Sequence, residues 1–422
     1  MLVASYDMPP VRPLQLSRAP MLPLERFRLA SLAWLALSLV PPLSADEPAP
    51  ATRRLLQLLA GGELSGTLAH EDRGYFNATD YRRGALRLFR ASLDVELRAG
   101  ERVALLAEAR SDDLEAARLY GLYLRLRPIA GRNIDLQAGR IPPVFGAYPR
   151  QRYGRDNPLI GEPLGYQYLT TIRPDAAPAS ADELLSQKGS GWLTHYSRGS
   201  SLYDGGLPLV NTLRWDTGVE LRLGAEPLSW AAAVTRGTLG NPLFHDDNRG
   251  KQLSTRLAWR PRMGLVVGGS LARGEYLSRE LTRQLARREP ARQRALGIDV
   301  EYSRGAWLLR IEAVWSSWDA PTLTAQASDG PLAAFAAFAE ARYRVRPGLT
   351  VAARVDRLSF GTIVGASGRE AWDAPVTRGE LGAAYALDRH LRLKAALQHD
   401  RRDGGVLRRA DTFLAGQLLL WF

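Results

Sequence analysis

Over residues 89–98, FRASLDVELR, the side chains alternate strictly. Phe89, Ala91, Leu93, Val95 and Leu97 fall on one face, and Arg90, Ser92, Asp94, Glu96 and Arg98 on the other. A period of two with one apolar and one charged face predicts a β-strand with water on one side and an apolar medium on the other. The pattern returns at 213–222, where Leu213, Trp215, Thr217, Val219 and Leu221 oppose Arg214, Asp216, Gly218, Glu220 and Arg222. It returns again at 296–303, with Leu296, Ile298, Val300 and Tyr302 against Gly297, Asp299, Glu301 and Ser303. Near 391–398, Leu391, Leu393, Ala395 and Leu397 oppose Arg392, Lys394, Ala396 and Gln398.

The connections alternate too. Short turns fall at 98–102, 127–133, 224–227, 260–264, 303–306, 346–348 and 387–390. Longer, polar, Gly/Asp/Pro-rich loops fall at 71–84, 111–115, 141–211, 237–250, 275–292, 317–332, 360–376 and 401–407. Between them fit about sixteen strands, the first near 62–70 and the last near 408–422. An even strand number, short turns at one end and long loops at the other predict an all-β fold. It is a transmembrane antiparallel up-and-down β-barrel with both chain ends on the periplasmic side. A water-soluble β-sandwich does not account for the alternation of loop lengths.

Aromatic placement agrees with that topology. Trp230, Trp259, Tyr302, Trp307 and Tyr343 lie within a few residues of short turns and share parity with apolar neighbours, as a periplasmic membrane girdle requires. Phe89, Trp215 and Trp315 lie toward the long loops and are expected in an outer girdle. The chain closes on LAGQLLLWF, in which Leu414, Gly416, Leu418, Leu420 and Phe422 alternate on one face. This resembles the C-terminal signal of outer-membrane barrels, and the resemblance implies recognition of the Phe422 strand by the barrel-assembly machinery.

The N-terminus reads as an address. Arg26 and Arg28 precede an apolar run, Leu29 to Val40, too short to span a bilayer, and Pro41, Pro42, Ser44 and Ala45 suit a cleavage site. Residues 1–45 are therefore expected to be an N-terminal extension plus a cleaved signal peptide, with Met21 the better start and the mature chain beginning near Asp46. Residues 46–61 are expected to form a short periplasmic segment before a barrel spanning 62–422. Within that segment the spacing of RRLLQLLA at 53–60 predicts a short amphipathic helix.

Composition changes the picture only in places. The absence of cysteine excludes disulfides, thiolate metal sites and thiol catalysis. The mean hydropathy of −0.20 argues against a helical polytopic membrane protein. A net charge of +12 raises nucleic acid as a partner, but the cations are spread along the chain and not gathered into a patch, so no nucleic acid is expected. Lysine occurs only at Lys188, Lys251 and Lys394; arginine supplies the rest.

Loop 141–211 is far the longest and third in order, with packing residues Phe145, Tyr148, Tyr153, Leu159, Ile160, Tyr166 and Tyr168. With this loop the chain resembles the sixteen-stranded Gram-negative porins, general and phosphate-selective, whose third loop folds into the barrel and narrows it. The resemblance implies passive diffusion of small hydrophilic solutes, contact with outer-membrane lipid and assembly as a homotrimer. The filter of the phosphate-selective group is rich in lysine, and this chain departs from that. A loop turned inward would bring Arg140, Arg150, Arg152 and Arg155 to the narrowest region, with Asp156 and Glu162 beside them. Cations of lumen parity on the wall are Arg256, Arg310, Arg342, Arg354 and Lys394. Such guanidinium groups favour anionic solutes, or else pair with Glu312, Glu340 and Asp356 and brace the wall.

Two other readings stand beside the porin. A barrel scaffold would sheath a partner, such as an electron-conduit cytochrome or a secreted chain. A lipid-modifying barrel would need serine, histidine and a polar third group at one height, for which only His70 and His399 lie near strand ends. His245, Asp246, Asp247 and Asn248 form a polar loop tip that reads as solvated. No cofactor and no catalytic residue is expected.

Overall fold

The computed structural model describes residues 56–422 other than 78–83, 85, 130, 244, 249, 287–288 and 329. The signal peptide, the start at Met21 and residues 46–55 lie outside the described residues. Sixteen strands form one closed barrel in chain order. They are β1 (Leu56–Leu68), β2 (Leu88–Ala99), β3 (Val103–Asp112), β4 (Arg118–Leu126), β5 (Asn133–Ile141), β6 (Asp216–Ala225), β7 (Leu228–Thr235) and β8 (Gln252–Arg262). The second half comprises β9 (Leu265–Glu275), β10 (Arg292–Arg304), β11 (Trp307–Trp318), β12 (Leu332–Arg346), β13 (Leu349–Phe360), β14 (Val376–Ala386), β15 (Leu391–Arg402) and β16 (Ala410–Trp421).

Every neighbour pairs antiparallel, and β16 closes on β1 from Glu63↔Trp421 to Leu68↔Gly416. Gly62 and Phe422 exchange backbone hydrogen bonds at 3.2 and 3.1 Å at that seam. Closure removes the free edge that an apolar medium could not solvate. The strand alternation carries through as an inverted polarity. Leu253, Leu257, Leu271, Ile298, Ile311, Val355, Leu381 and Leu414 stand exposed on the outer face. On the inner face Arg256, Asp299, Glu312, Glu340, Arg354, Glu380, Lys394 and Gln398 are buried. Short turns use glycines with positive φ, Gly100 at 64° and Gly264 at 79° among them, where other residues would be strained.

Two expectations are corrected here. Residues 56–60 are strand, not helix: β1 pairs with β2 from Leu56↔Ala99 to Thr67↔Leu88. A neighbouring strand supplies hydrogen bonds that a short isolated helix lacks, and this overrides the helical spacing. Trp215 is buried and tilts against Tyr123 with ring centroids 6.2 Å apart, so it is not part of an outer girdle. Strand β6 begins only at Asp216, which frees the Trp215 side chain from the outward parity of the strand.

Candidate functional site

Between β5 and β6 the chain runs inside the barrel. This loop carries a single 3-10 turn, Tyr148–Arg150, and two short helices, α1 (Leu164–Gln167) and α2 (Ala181–Ser186). α2 is capped by Ser180, whose side chain accepts from the Glu183 amide at 3.2 Å.

The loop's first contact is with the wall of β7 to β11. Ile141 and Val144 cluster with Ala231 and Ala233. Phe145 lies against Gly297, where a Cβ would stand 2.9 Å from the ring. Glu312 on β11 accepts the amides of Ala147 at 3.2 Å and Tyr148 at 3.1 Å, and the Tyr166 hydroxyl donates to it. The chain then crosses the bore. Gln151 donates to Glu301 on β10 at 3.3 Å, whereas Arg152 donates to Glu108 on β3 at 2.7 Å, seven strands away around the wall.

From there it follows the opposite side. Glu63 on β1 accepts the amides of Gly154 and Arg155 at 2.9 and 3.1 Å. Lys394 on β15 donates to the carbonyls of Gly154, Asn157 and Leu159 at 2.6, 2.8 and 3.1 Å. Glu380 on β14 accepts from Ile160 and Gly161, and Asp356 on β13 accepts the Leu164 amide at 3.2 Å. Wall carboxylates thus meet loop N–H groups and a wall ammonium meets loop carbonyls, which satisfies the irregular backbone that a buried loop would otherwise leave unpaired. Between those anchors Tyr148 and Tyr166 pack with centroids 4.9 Å apart.

The sequence-derived site residues divide into groups. The Arg150 side chain is exposed within the loop and makes no hydrogen bond or ion pair among the described residues. Desolvation inside the barrel, then the charges of Arg222 and Arg256, bring its pKa down to about 10, so it stays a cation at neutral pH. Arg155 and Asp156 are about half exposed and pair at 3.6 Å. The Arg342 side chain on β12 makes no hydrogen bond or ion pair among the described residues.

The others are engaged. Arg152 is buried, paired with Glu108, and lies 5.6 Å from the centroid of the Trp215 ring. Glu162 is buried and accepts from Thr212, and burial pushes its carboxyl above the usual range. Arg256 is bound by Asp299 through two bonds; Arg310 bridges Glu301 and Glu340 at 2.9 and 3.2 Å. Arg354 is enclosed by Glu340, Asp356 and Glu380. Arg140 is not in the bore. It pairs with Leu122 and Thr217 on the outward parity, which it shares with the exposed Leu136 and Ala138 of β5, and donates to the carbonyls of Leu119 and Trp215.

Sequence reasoning missed Glu63, Glu108, Glu380, Arg378 and Arg392. Arg378 donates to the Glu162 carbonyl at 2.7 Å, and Arg392 donates to the Arg155 carbonyl at 2.8 Å and lies 5.1 Å from the Trp421 ring centroid. Charged residues of inward parity at mid-strand were the available signal. Of the residues expected in the girdle, Trp230, Trp259, Trp307 and Phe422 are exposed on the outer face, Tyr302 is half-buried, and Trp307 packs on Tyr343 at 4.6 Å. His70 and His399 come together at one rim cavity, and no serine lines it. Among the described residues no group of three His, Asp or Glu could hold a metal, and the loop tip at 245–248 instead pairs Asp246 with Lys251 at 2.8 Å.

No protein-family model and no curated protein matches the chain. Solved structures match over most of it. The anion-selective porin from Comamonas acidovorans superposes with a TM-score of 0.55 at 10% identity, over 87% of this chain and 100% of that one. The outer membrane channel DcaP of Acinetobacter baumannii gives 0.51 at 9%, over 87% and 97%. OmpT, an outer membrane protein of Vibrio cholerae solved in a trimer form, gives 0.51 at 12%, over 87% and 99%. In fold, this chain is a sixteen-stranded porin-like outer-membrane barrel.

Proposed function

We propose that the protein is an outer-membrane channel for the passive diffusion of small hydrophilic solutes, with a preference for anions. The observation that carries the reading is the loop threaded through the bore beside lumen cations that lack carboxylate partners. Arg150 and Arg342 make no ion pair among the described residues, and Arg392 donates only to a carbonyl. Asp94 faces the same lumen without an ion pair and offsets one of them. Glu63, Glu162 and Glu312 also lack a cation partner among the described residues but are buried against amides and hydroxyls. Three guanidinium groups therefore face one comparably accessible carboxylate, and a narrow bore with low-dielectric walls strengthens the resulting positive field. The anion selectivity named for the Comamonas structure supports the same direction by fold only.

A scaffold sheathing a partner needs an empty bore, and a loop bonded to β1, β3, β10, β11, β13, β14 and β15 occupies that space. The trimer form of OmpT supports assembly as a homotrimer. The test is the reversal potential of the folded protein in a planar bilayer under a salt gradient. Anion selectivity is expected, and the Arg150→Glu/Arg342→Glu variant should shift it toward cations. A folded, inserted barrel without conductance would falsify the channel reading.

A further inference from the structure

The loop that threads the bore meets the loop between β7 and β8 around a cavity of about 280 Å³ on the long-loop side. Helix α1 brings Gln167 to its wall, the segment before β6 brings Asn211, and the β7–β8 loop brings Asn241. Gln167 and Asn211 are only 3 and 8% exposed. The orientation of each amide is fixed from behind. Gln167 Oε1 accepts from Arg378 at 3.3 Å, and Asn211 Oδ1 accepts the Leu213 amide at 2.9 Å. A guanidinium and a backbone N–H can only donate, so the carbonyl oxygen of each side chain must face them and its NH₂ group must face away.

Neither NH₂ group donates to a described residue, and neither is sealed off from solvent, so two buried donors face the cavity. On the same wall Trp192 is 7% exposed and its indole N–H has no described partner. The half-buried Asn241 side chain has none either. The charges around the cavity decide which acceptor suits these donors. Asp175 and Asp204 line it against Arg214. Asp175 accepts from Arg173 at 3.0 and 2.8 Å, and Asp204 accepts the Gly205 amide at 2.8 Å, which leaves each carboxylate lone pairs to spare.

A free anion here would meet two carboxylates against one guanidinium, the reverse of the bore at Arg150 and Arg342. A hydroxyl suits both kinds of group, because its lone pairs accept from the amides and its proton goes to a carboxylate. Leu169, Leu207 and Leu213 supply an apolar patch for the C–H face of a ring. At Gly206 the wall is bare backbone, since a Cβ there would stand 1.8 Å from the Thr170 carbonyl oxygen. The volume lies at the low end for small-molecule pockets and suits a single compact ring.

We infer that this cavity binds a neutral monosaccharide. Gln167 and Asn211 donate to its hydroxyl oxygens, and Asp175 and Asp204 accept its hydroxyl protons. The site goes beyond the channel reading, because it binds whether or not the barrel conducts. To test it, the full chain is folded in a zwitterionic detergent without a sugar headgroup. Glucose, galactose and mannose are titrated by saturation-transfer NMR, with glucuronate as the anionic control.

Saturable binding of at least one of the three hexoses is expected, about tenfold tighter than glucuronate. The Gln167→Glu/Asn211→Asp variant keeps the bonds to Arg378 and Leu213 and replaces both cavity donors by acceptors. It should weaken hexose binding by about tenfold or more, and Asn241→Ala, on the half-buried loop, by about threefold. Heat-dependent gel mobility verifies that each variant is folded, and Asn241→Ala decides if the double variant is not. Failure of all three hexoses to bind, glucuronate binding as tightly as they do, or hexose binding unchanged in the folded variants would overturn the inference. Conductance is recorded on the same preparations in planar bilayers. A conducting barrel that binds no hexose defeats this inference only, and a hexose-binding barrel without conductance defeats the channel reading only.

Discussion

Two residues apart on the lumen loop, Arg150 makes no ion pair among the described residues, while Arg152 meets Glu108 at 2.7 Å and lies near the faces of Tyr120, Tyr153 and Trp215. Their charges are equal, so their consequences differ only through solvation and pairing. An uncompensated guanidinium beside water acts on passing ions. A buried one neutralised by a carboxylate contributes geometry, and removing it leaves Glu108 buried without its partner, at a cost of about 3–5 kcal/mol. Arg152→Gln is therefore expected to lower the temperature at which the barrel changes gel mobility while leaving the reversal potential nearly unchanged. Arg150→Gln should do the reverse. If Arg152→Gln moves selectivity as much as Arg150→Gln does, the division between filter and brace fails.

At the scale of the element, the loop holds its place because each anchor supplies what the local backbone lacks. Lys394 satisfies three carbonyls in the segment 154–159, and hydrogen bonds to a charged group are worth about 1.5–3 kcal/mol each. Lys394→Met keeps most of the side-chain volume and removes all three. The expected result is a folded barrel whose single-channel current is noisier and larger, read in the same bilayers; a current identical to wild type would rule out a clamping role. The loop's second half is held by Asp373, which accepts the amides of Thr171 at 2.9 Å and Gly189 at 2.7 Å. Burial keeps the Asp373 carboxyl above its ordinary value of 3.8 despite those bonds. The folded state therefore binds this proton more tightly than the unfolded state, and the group's contribution to stability falls as pH rises from 3.8 through the raised value. Asp373→Asn should flatten that part of the pH dependence, measured as protection of residues 170–190 from hydrogen exchange across the acid range.

For the whole molecule, the outer face is apolar and the inner face charged, so the bilayer takes the part that a protein core plays in a soluble barrel. Residence in the outer membrane, as proposed, requires export, which is the reason to expect a cleaved leader. N-terminal sequencing of protein recovered from outer membranes is expected to begin at Asp46; a chain that retains Arg26 and Arg28 would contradict the leader. The loop also sets how the barrel interior is filled. Phe145, Tyr148, Ile160, Leu164, Tyr166 and Tyr168 join Phe338, Leu358, Phe413 and the wall alanines in one apolar cluster inside a barrel whose lumen the strand pattern marks as polar.

Strand alternation was legible because it depends on nearest neighbours: a lipid-facing side chain at one position forces a lumen-facing one at the next, and Phe89–Arg98 carries that rule openly. Loop alternation then gave the strand count; that loop 141–211 enters the bore was only what the likeness to porins implied. Which arginine meets a carboxylate was not legible, because Arg152 and Glu108 are 44 residues apart and meet only once the loop has crossed from β10 to β3. The same holds for Lys394, 240 residues from Gly154, whereas the outward side of Arg140 follows the strand parity it shares with Leu136 and Ala138. Sequence determined the barrel and its orientation of polarity, since local periodicity and membrane solvation decide those. Tertiary structure alone decided which charges remain open to solutes, since pairing depends on distances that the chain acquires only when the barrel closes.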